Sequence, residues 1–452
     1  MAYVIKQLTA SEIAKATGGR LIYGNADAIV TSISCDSREL EDGSLYIPIK
    51  GERFDGHSFI CDACKKGISG YLCSDGQINQ DALFAIMVSD TRKALLDLAS
   101  YYRNLFKIKL VGLTGSVGKT TTKEFIASVL QKGLNTLATK GNFNNDIGVP
   151  LTLFGLHKDH SAAVVEMGMS NFGEIEVLTK CARPDIAVIT NIGTSHIEFL
   201  GSREGILKAK TEIFKGLPED GKVVLNGDDP YLWSLKGSLN FETIYVGIEN
   251  RECDLVATDI VSNENGNLFK CDGREYRINL LGVHNIYNAL VAIAVGSLLK
   301  LSYEKIYAGL KSYTSDGIRQ NIINTDNGYK LINDCYNSSP QSVKAALGVL
   351  DTVSAKRRIA VLGSIGELGE KSEELHREVG KNVALSKTDV LITAGDDAKF
   401  IAQEATNKEV YIFENTAECS EFLKGFLRKD DAVLIKASRF MKFETISQTL
   451  MK

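Results

Sequence analysis

The stretch Leu110-Val-Gly-Leu-Thr-Gly115-Ser-Val-Gly118-Lys119-Thr120-Thr121 decides the fold of this chain. An apolar run (108–113) enters a glycine-punctuated loop. Beyond the loop, Phe125, Ile126, Val129 and Leu130 recur on one stripe, as in an amphipathic helix over 119–131. Strand, glycine loop and helix in that order form a phosphate cradle. Gly115 and Gly118 let backbone N–H groups curl around phosphate oxygens, and the helix N-terminus adds partial positive charge. The expected nucleotide contacts are Gly115, Ser116, Val117, Gly118, Lys119, Thr120 and Thr121, with Lys119 on the outer phosphates and the Thr120 hydroxyl on Mg2+. The strict pattern G-x-x-x-x-G-K-[ST] would place glycine at 113, where this chain has Leu113. The flanking strand and helix nevertheless point to a nucleoside triphosphate site.

Outward from this loop, apolar runs at 162–165, 186–189 and 223–225 read as parallel strands covered on both faces. A second apolar stripe, Ile286, Leu290, Ile293 and Val295, marks a helix over 285–299. Residues 107–316 are therefore expected to form a central, doubly wound α/β domain of phosphate-loop type. Residues 1–106 carry short β-rich runs (28–34, 44–49), one amphipathic helix (91–105), and the turn signals Glu41-Asp-Gly43 and Asp55-Gly56. They are expected to form a small mixed α/β domain. In residues 317–452, a hairpin signal Asp326-Asn-Gly328 precedes apolar runs at 359–362, 390–393, 410–413 and 432–435, separated by helical stretches. That is a Rossmann-like third domain.

A length of 452 residues accommodates three such domains. The balance of 52 basic and 56 acidic residues argues against a nucleic-acid grip, which needs a basic surface. No apolar run reaches the ~18 residues of a membrane span, and the start lacks the long apolar core of a secretion signal. Nine scattered cysteines, an odd number, fit reduced thiols in a cytoplasm. Cys61-Asp-Ala-Cys64, with Cys73 nearby, has metal or redox spacing but no second pair, and reads as buried small residues of a helix ending near Gly67.

Two central residues invite chemistry. Glu166 ends one strand and His196 follows another, at the sheet edge where α/β domains bind ligands. Each has an ordinary alternative, a solvated carboxylate and a structural histidine. Converging on a phosphate loop, they are candidates for Mg2+. Lys210, between Lys208 and Lys215, reads by itself as another surface charge.

The shortened loop resembles that of the Mur ligases, which build the peptide stem of bacterial peptidoglycan. Further matches follow in the family's order across nearly the whole chain: residues 141–150 (GNFNNDIGVP), 190–196 (TNIGTSH), 282–285 (GVHN) and 333–337 (NDCYN). Phe143-Asn-Asn, Asp334-Cys-Tyr-Asn, Gly366-Glu-Leu-Gly369 and Ala437-Ser-Arg439 favour the member that adds the terminal dipeptide. The resemblance implies UDP-MurNAc-tripeptide and D-alanyl-D-alanine as substrates, ATP and two Mg2+ ions; a monomer is expected, although the sequence does not fix the oligomeric state. It places Glu166 and His196 on a second Mg2+, beside the first at Thr120, and implies that Lys210 is carbamylated into a further metal ligand. Lys119, Lys210, His196, Glu166 and Arg319 are then the catalytic set.

Asn285 and Asn288 match an adenine edge and are used there in the family, the plainer reading of Asn285 being a helix N-cap. Asp334 suits ribose hydroxyls, Tyr336 suits adenine stacking, and Arg319 suits the transferring phosphate; ATP shared in this way would require domain closure. Asn337, Ser338, the Glu367 loop, Ser438 and Arg439 are expected to receive the dipeptide, although the family usually has glycine where this chain has Ala437. Ser37, Arg38, Arg53, Asp55 and His57 suit the diphosphate and uracil, or else form a hairpin salt-bridge cluster. Asn142, Asn144 and Asn145 are assigned to the muramyl peptide.

The implied reaction activates the tripeptide carboxylate as an acyl phosphate, which the dipeptide amine attacks. Three alternatives remain open at this point. They are a sister ligase adding the third amino acid, a folate-type ligase, and a binding module switched by ATP.

Overall fold

The computed structural model describes residues 2–314 and 321–451. The chain forms two compact units. One comprises Met1–Thr114, Gly133–Val188 and Thr211–Val223; the other comprises Gly115–Lys132, Ile189–Lys210 and Val224–Lys452.

The first unit opens with β1 (Tyr3–Thr9), β2 (Arg20–Gly24), β3 (Ile29–Ser34), β4 (Ser44–Tyr46), β5 (Gly70–Cys73) and β6 (Phe84–Met87). They make one mixed sheet in the order β1-β3-β4-β5-β6-β2, parallel from β3 to β6 and antiparallel at both edges. Its core gathers Tyr46, Ile60, Ile68, Tyr71 and Ala85, with Cys64 and Cys73 among them. Cys61 is exposed, which corrects half of the buried-cysteine expectation: on the short Ile60–Cys64 helix it faces away from the sheet. The Ala10–Thr17 helix was not anticipated, although Thr9 and Glu12 form a capping box legible in the sequence. The anticipated helix runs Thr91–Asn104, capped by the Asp90 side chain.

The same unit holds β7 (Lys109–Thr114), β8 (Thr136–Ala138), β9 (Ala162–Glu166) and β10 (Ile186–Ile189), ordered β10-β7-β9-β8. Burial on both faces explains their nearly continuous apolar runs.

In the second unit the Lys119–Leu130 helix packs against the His284–Leu298 helix. Strands β11 (Lys222–Asn226, begun in the first unit), β12 (Glu242–Gly247) and β13 (Leu255–Val256) follow. A three-stranded antiparallel sheet of β14 (Thr258–Asn263), β15 (Gly266–Cys271) and β16 (Arg274–Ile278) was not foreseen. The Rossmann-like region contains β17 (Asn321–Asn324), β18 (Lys330–Asn333), β19 (Arg357–Gly363), β20 (Val390–Ala394), β21 (Glu409–Phe413) and β22 (Asp431–Lys436). Their order is β17-β18-β22-β19-β20-β21, antiparallel only in the β17–β18 hairpin. The carboxyl ends of β18, β19 and β22 carry most of the third region's expected ligand residues.

Candidate functional site

In the second unit the candidate residues gather on the phosphate loop. Gly118 precedes the helix at φ +84°, and a Cβ there would meet Asn288 Oδ1 at 2.9 Å. A Cβ on Gly115 would lie 1.9 Å from Thr190 Oγ1, so only glycine fits. Residues 190–193 brace the loop. Ser116 N–H donates to the Asn191 carbonyl at 3.1 Å, and Val117 N–H donates to Asn191 Oδ1 at 2.9 Å. Thr190 Oγ1 donates to the Val117 carbonyl at 2.7 Å, and Gly193 N–H to Ser116 Oγ at 2.9 Å. Asn191 Oδ1 thereby accepts the kind of bond a phosphate oxygen accepts from such a loop. Lys119 Nζ donates to the Gly115 carbonyl at 2.8 Å.

Asn285 and Asn288 are buried behind the loop. Asn285 is not an N-cap: its Nδ2 donates to the Leu281 carbonyl and its Oδ1 accepts from Asn288 Nδ2 at 2.9 Å. Asn288 Oδ1 accepts from Thr122 Oγ1 at 2.9 Å. In this structure the two amides tie the His284–Leu298 helix to the phosphate-loop helix.

Lys210 is not a surface charge. It is 2% exposed, and no carboxylate among the described residues pairs with it. Burial first, and the Lys119 ammonium second, push its pKa well below the ordinary lysine range. His196 holds left-handed backbone at φ +64°. Its Nδ1 lies 2.6 Å from Glu367 Oε2, close enough for charge pairing but off hydrogen-bond angle. The His196 ring holds the Glu367 carboxyl below its ordinary range.

At the end of β18, Asp334 Oδ2 accepts from Lys436 Nζ at 2.7 Å, a pairing absent from the sequence reading. Tyr336 lies under the Arg439 guanidinium, 5.3 Å from ring centroid to Cζ. Residues assigned to adenine and to the dipeptide are thus neighbours. Asn337 is exposed, Ser338 Oγ is buried with no hydrogen-bond partner among the described residues, and Ser438 Oγ accepts from Gly366 N–H at 3.0 Å. Ala437 is fully buried; its methyl packs over Gly363, whose missing side chain makes room for it. Arg319 lies outside the described residues.

In the first unit, Glu166 is 1% exposed at the end of β9. Its Oε1 accepts from Asn144 Nδ2 at 2.9 Å, whereas its Oε2 is buried with no hydrogen-bond partner among the described residues. A buried carboxylate oxygen with no donor is costly unless a cation meets it, and a carboxylate oxygen suits Mg2+. Among the described residues no group of three or more His, Cys, Asp or Glu could hold a metal. That is compatible with Mg2+, which keeps waters and phosphate oxygens as ligands. Asn145 Oδ1 caps Gly148 N–H at 2.9 Å, Asn142 is exposed, and Arg92 pairs with Asp146 in the same loop.

In the first sheet region, Arg38 and Asp36 form an exposed ion pair, whose hydrogen bonds hold Asp36 at about 2. Ser37 is half-buried and Arg53 exposed. His57 Nδ1 meets Asp55 Oδ1 at 2.6 Å, and its Nε2 accepts from Ser74 N–H at 3.1 Å.

Three family descriptions match in series: Mur ligase family, catalytic domain over residues 29–103; Mur ligase middle domain over 113–296; and Mur ligase, glutamate ligase domain over 318–439. The chain is 40% identical to the UDP-N-acetylmuramoyl-tripeptide–D-alanyl-D-alanine ligase of Bacillus subtilis, over 94% of both chains. A crystal structure of MurF from Acinetobacter baumannii superposes with a TM-score of 0.92 at 32% identity, covering 99% of each chain. The MurF ligase of Thermotoga maritima, solved in complex with ADP, gives 0.83 at 28% identity, over 93% of this chain and 96% of that one. Matched by three Mur ligase descriptions in series and 40% identical to a named ligase over 94% of both chains, this chain belongs to the Mur ligase family.

Proposed function

We infer that the protein joins UDP-MurNAc-tripeptide to D-alanyl-D-alanine at the expense of ATP. The observation that carries this reading is full-length similarity to ligases of that name, coupled to a complete phosphate loop on residues 115–121. An ADP complex of a similar ligase supports nucleotide use. In the first step a carboxylate oxygen of the tripeptide attacks the γ-phosphorus, and the bond to the β-bridging oxygen breaks to release ADP. In the second, the dipeptide amine attacks the acyl-phosphate carbonyl; phosphate leaves and the amine loses a proton. Phosphorylation supplies the leaving group a free carboxylate lacks.

The chain's own work is to bring anion to anion. Backbone N–H groups of residues 115–118 and the Lys119 ammonium receive the phosphates, with Arg319 assigned to the transferring group. Asn144 fixes one oxygen of Glu166 and leaves the other open to a cation. Thr120, Glu166, His196 and a carbamylated Lys210 would hold Mg2+, which offsets phosphate charge when bound. The unpaired, buried Lys210 favours the neutral amine, the form that adds CO2 to give a carbamate and a proton. The domain scheme assigns 1–106 to the nucleotide-sugar, 107–316 to ATP and 317–452 to the dipeptide. Ser37, Arg38, Arg53, Asp55 and His57 are assigned to the UDP moiety, and Asn337, Ser338, Ser438 and Arg439 to the dipeptide.

The test is phosphate release with each substrate omitted in turn. Release that requires both UDP-MurNAc-tripeptide and D-alanyl-D-alanine supports the reading. Turnover without the dipeptide, or with lysine or diaminopimelate in its place, overturns it.

A further inference from the structure

We propose that Lys436 is a positioning residue that holds the nucleotide-reading and dipeptide-reading loops of the third region in one register. Its Nζ donates to Asp334 Oδ2 at 2.7 Å and to the Asn337 carbonyl at 2.9 Å. One ammonium therefore fastens both ends of the turn that carries Tyr336. The placement follows from the sheet. β18 pairs in parallel with β22 at Asn333↔Ile435, and Asp334 N–H donates to the Ile435 carbonyl at 3.1 Å. Lys436 closes β22, and the chain then passes directly into Ser438 and Arg439.

Stability alone does not explain a lysine here. Lys436 and Asp334 have side chains only 2% and 11% exposed. Desolvation offsets most of the attraction of such a pair, so a packed apolar side chain would serve β22 as well, as Leu434 and Ile435 do beside it. What the ammonium adds is direction: it aims the Asp334 carboxylate and fixes the turn. The Arg439–Tyr336 contact ties the same two loops again, farther out. Residues assigned to nucleotide (Asp334, Tyr336) and to dipeptide (Asn337, Ser338, Ser438, Arg439) are held together, so both substrates should sense position 436. This inference rests on those ligand assignments and adds what aligns them.

The experiment uses the full chain with Lys436→Met, Lys436→Arg and the double variant Asp334→Asn/Lys436→Met. It measures equilibrium binding of a fluorescent ATP analogue, the dipeptide KM, kcat and the thermal midpoint. Lys436→Met is expected to weaken analogue binding and raise the dipeptide KM, each by about tenfold, with kcat changed less. Lys436→Arg should recover part of both. The double variant removes the unpaired buried carboxylate and should regain the thermal midpoint while keeping the raised dipeptide KM; analogue binding is read in Lys436→Met and Lys436→Arg, since Asp334 is itself assigned to the ribose. Parental affinities in Lys436→Met, or a parental dipeptide KM along with the midpoint in the double variant, would overturn the proposal. Analogue binding needs no turnover, so a parent chain that binds nucleotide yet joins no dipeptide refutes the ligase reading and still leaves Lys436 tested.

Discussion

His196 and Glu367 meet at 2.6 Å, and both hold left-handed backbone, at φ +64° and +61°. Such a conformation costs a non-glycine residue about 1–3 kcal/mol and persists where neighbours over-determine it. Here Glu198 N–H donates to the Glu367 carbonyl at 3.3 Å, and Gly369 sits against the Glu198 side chain. Glu367→Gly removes the carboxylate and relieves the backbone; Glu367→Ala removes the carboxylate alone. The glycine variant should melt several degrees above the alanine variant, while both lose about tenfold in kcat/KM for the dipeptide. Equal melting points in calorimetry would refute the strain argument.

Burial of Lys210 without an anionic partner makes a second prediction. Lys210→Ala should lose activity by about two orders of magnitude or more, and short-chain carboxylic acids at high concentration should restore part of it. A variant with parental rates would remove Lys210 from the mechanism.

The Ala437 methyl occupies space that Gly363 leaves free. A Cβ on Gly363 would lie 2.6 Å from both Ala437 Cβ and Phe443 Cζ. Gly363→Ala should therefore destabilise the chain by about 1–3 kcal/mol in urea titration. Adding Ala437→Gly should relieve part of that loss, since the Phe443 contact remains. Strict additivity of the two changes would show that the residues do not share this space.

Acid should weaken the third region through His376, which is fully buried. Its Nδ1 donates to the Ser372 carbonyl at 2.7 Å, and its Nε2 accepts from Ile365 N–H at 2.9 Å, just ahead of the Glu367 loop. Burial lowers its pKa below 6.5 despite the Ser372 hydrogen bond and nearby Asp397. Between the lowered folded value and 6.5 the unfolded chain binds more protons. The contribution is thus complete above about pH 6.5 and is lost as pH falls through the folded value. Comparing denaturation midpoints at pH 7.5 and 5.5 should show a smaller acid loss in His376→Gln than in the parent.

What the sequence revealed follows from the range of each interaction. The phosphate loop and the parallel strands were legible because strand, glycine turn and helix are contiguous. The β14–β16 sheet was overlooked although Asn265-Gly266 and Asp272-Gly273 sit in its turns, between strands that alternate in burial. Lys436 looked like the end of an apolar run; a lysine closing a fully buried parallel strand was the available signal. The Ser74 partner of His57 is not legible in the sequence because it arrives from another strand end. Lys210 and its exposed neighbour Lys208 differ only in which helix face meets the core, and one helix turn rich in lysine does not reveal that.

The central claim is that the tripeptide carboxylate is activated as an acyl phosphate. UDP-MurNAc-tripeptide labelled with 18O in both oxygens of the reacting carboxylate, incubated with ATP, Mg2+ and D-alanyl-D-alanine, tests it most directly. One labelled oxygen should leave in the released phosphate and the other remain in the new amide. Unlabelled phosphate accompanying amide formation would contradict the account.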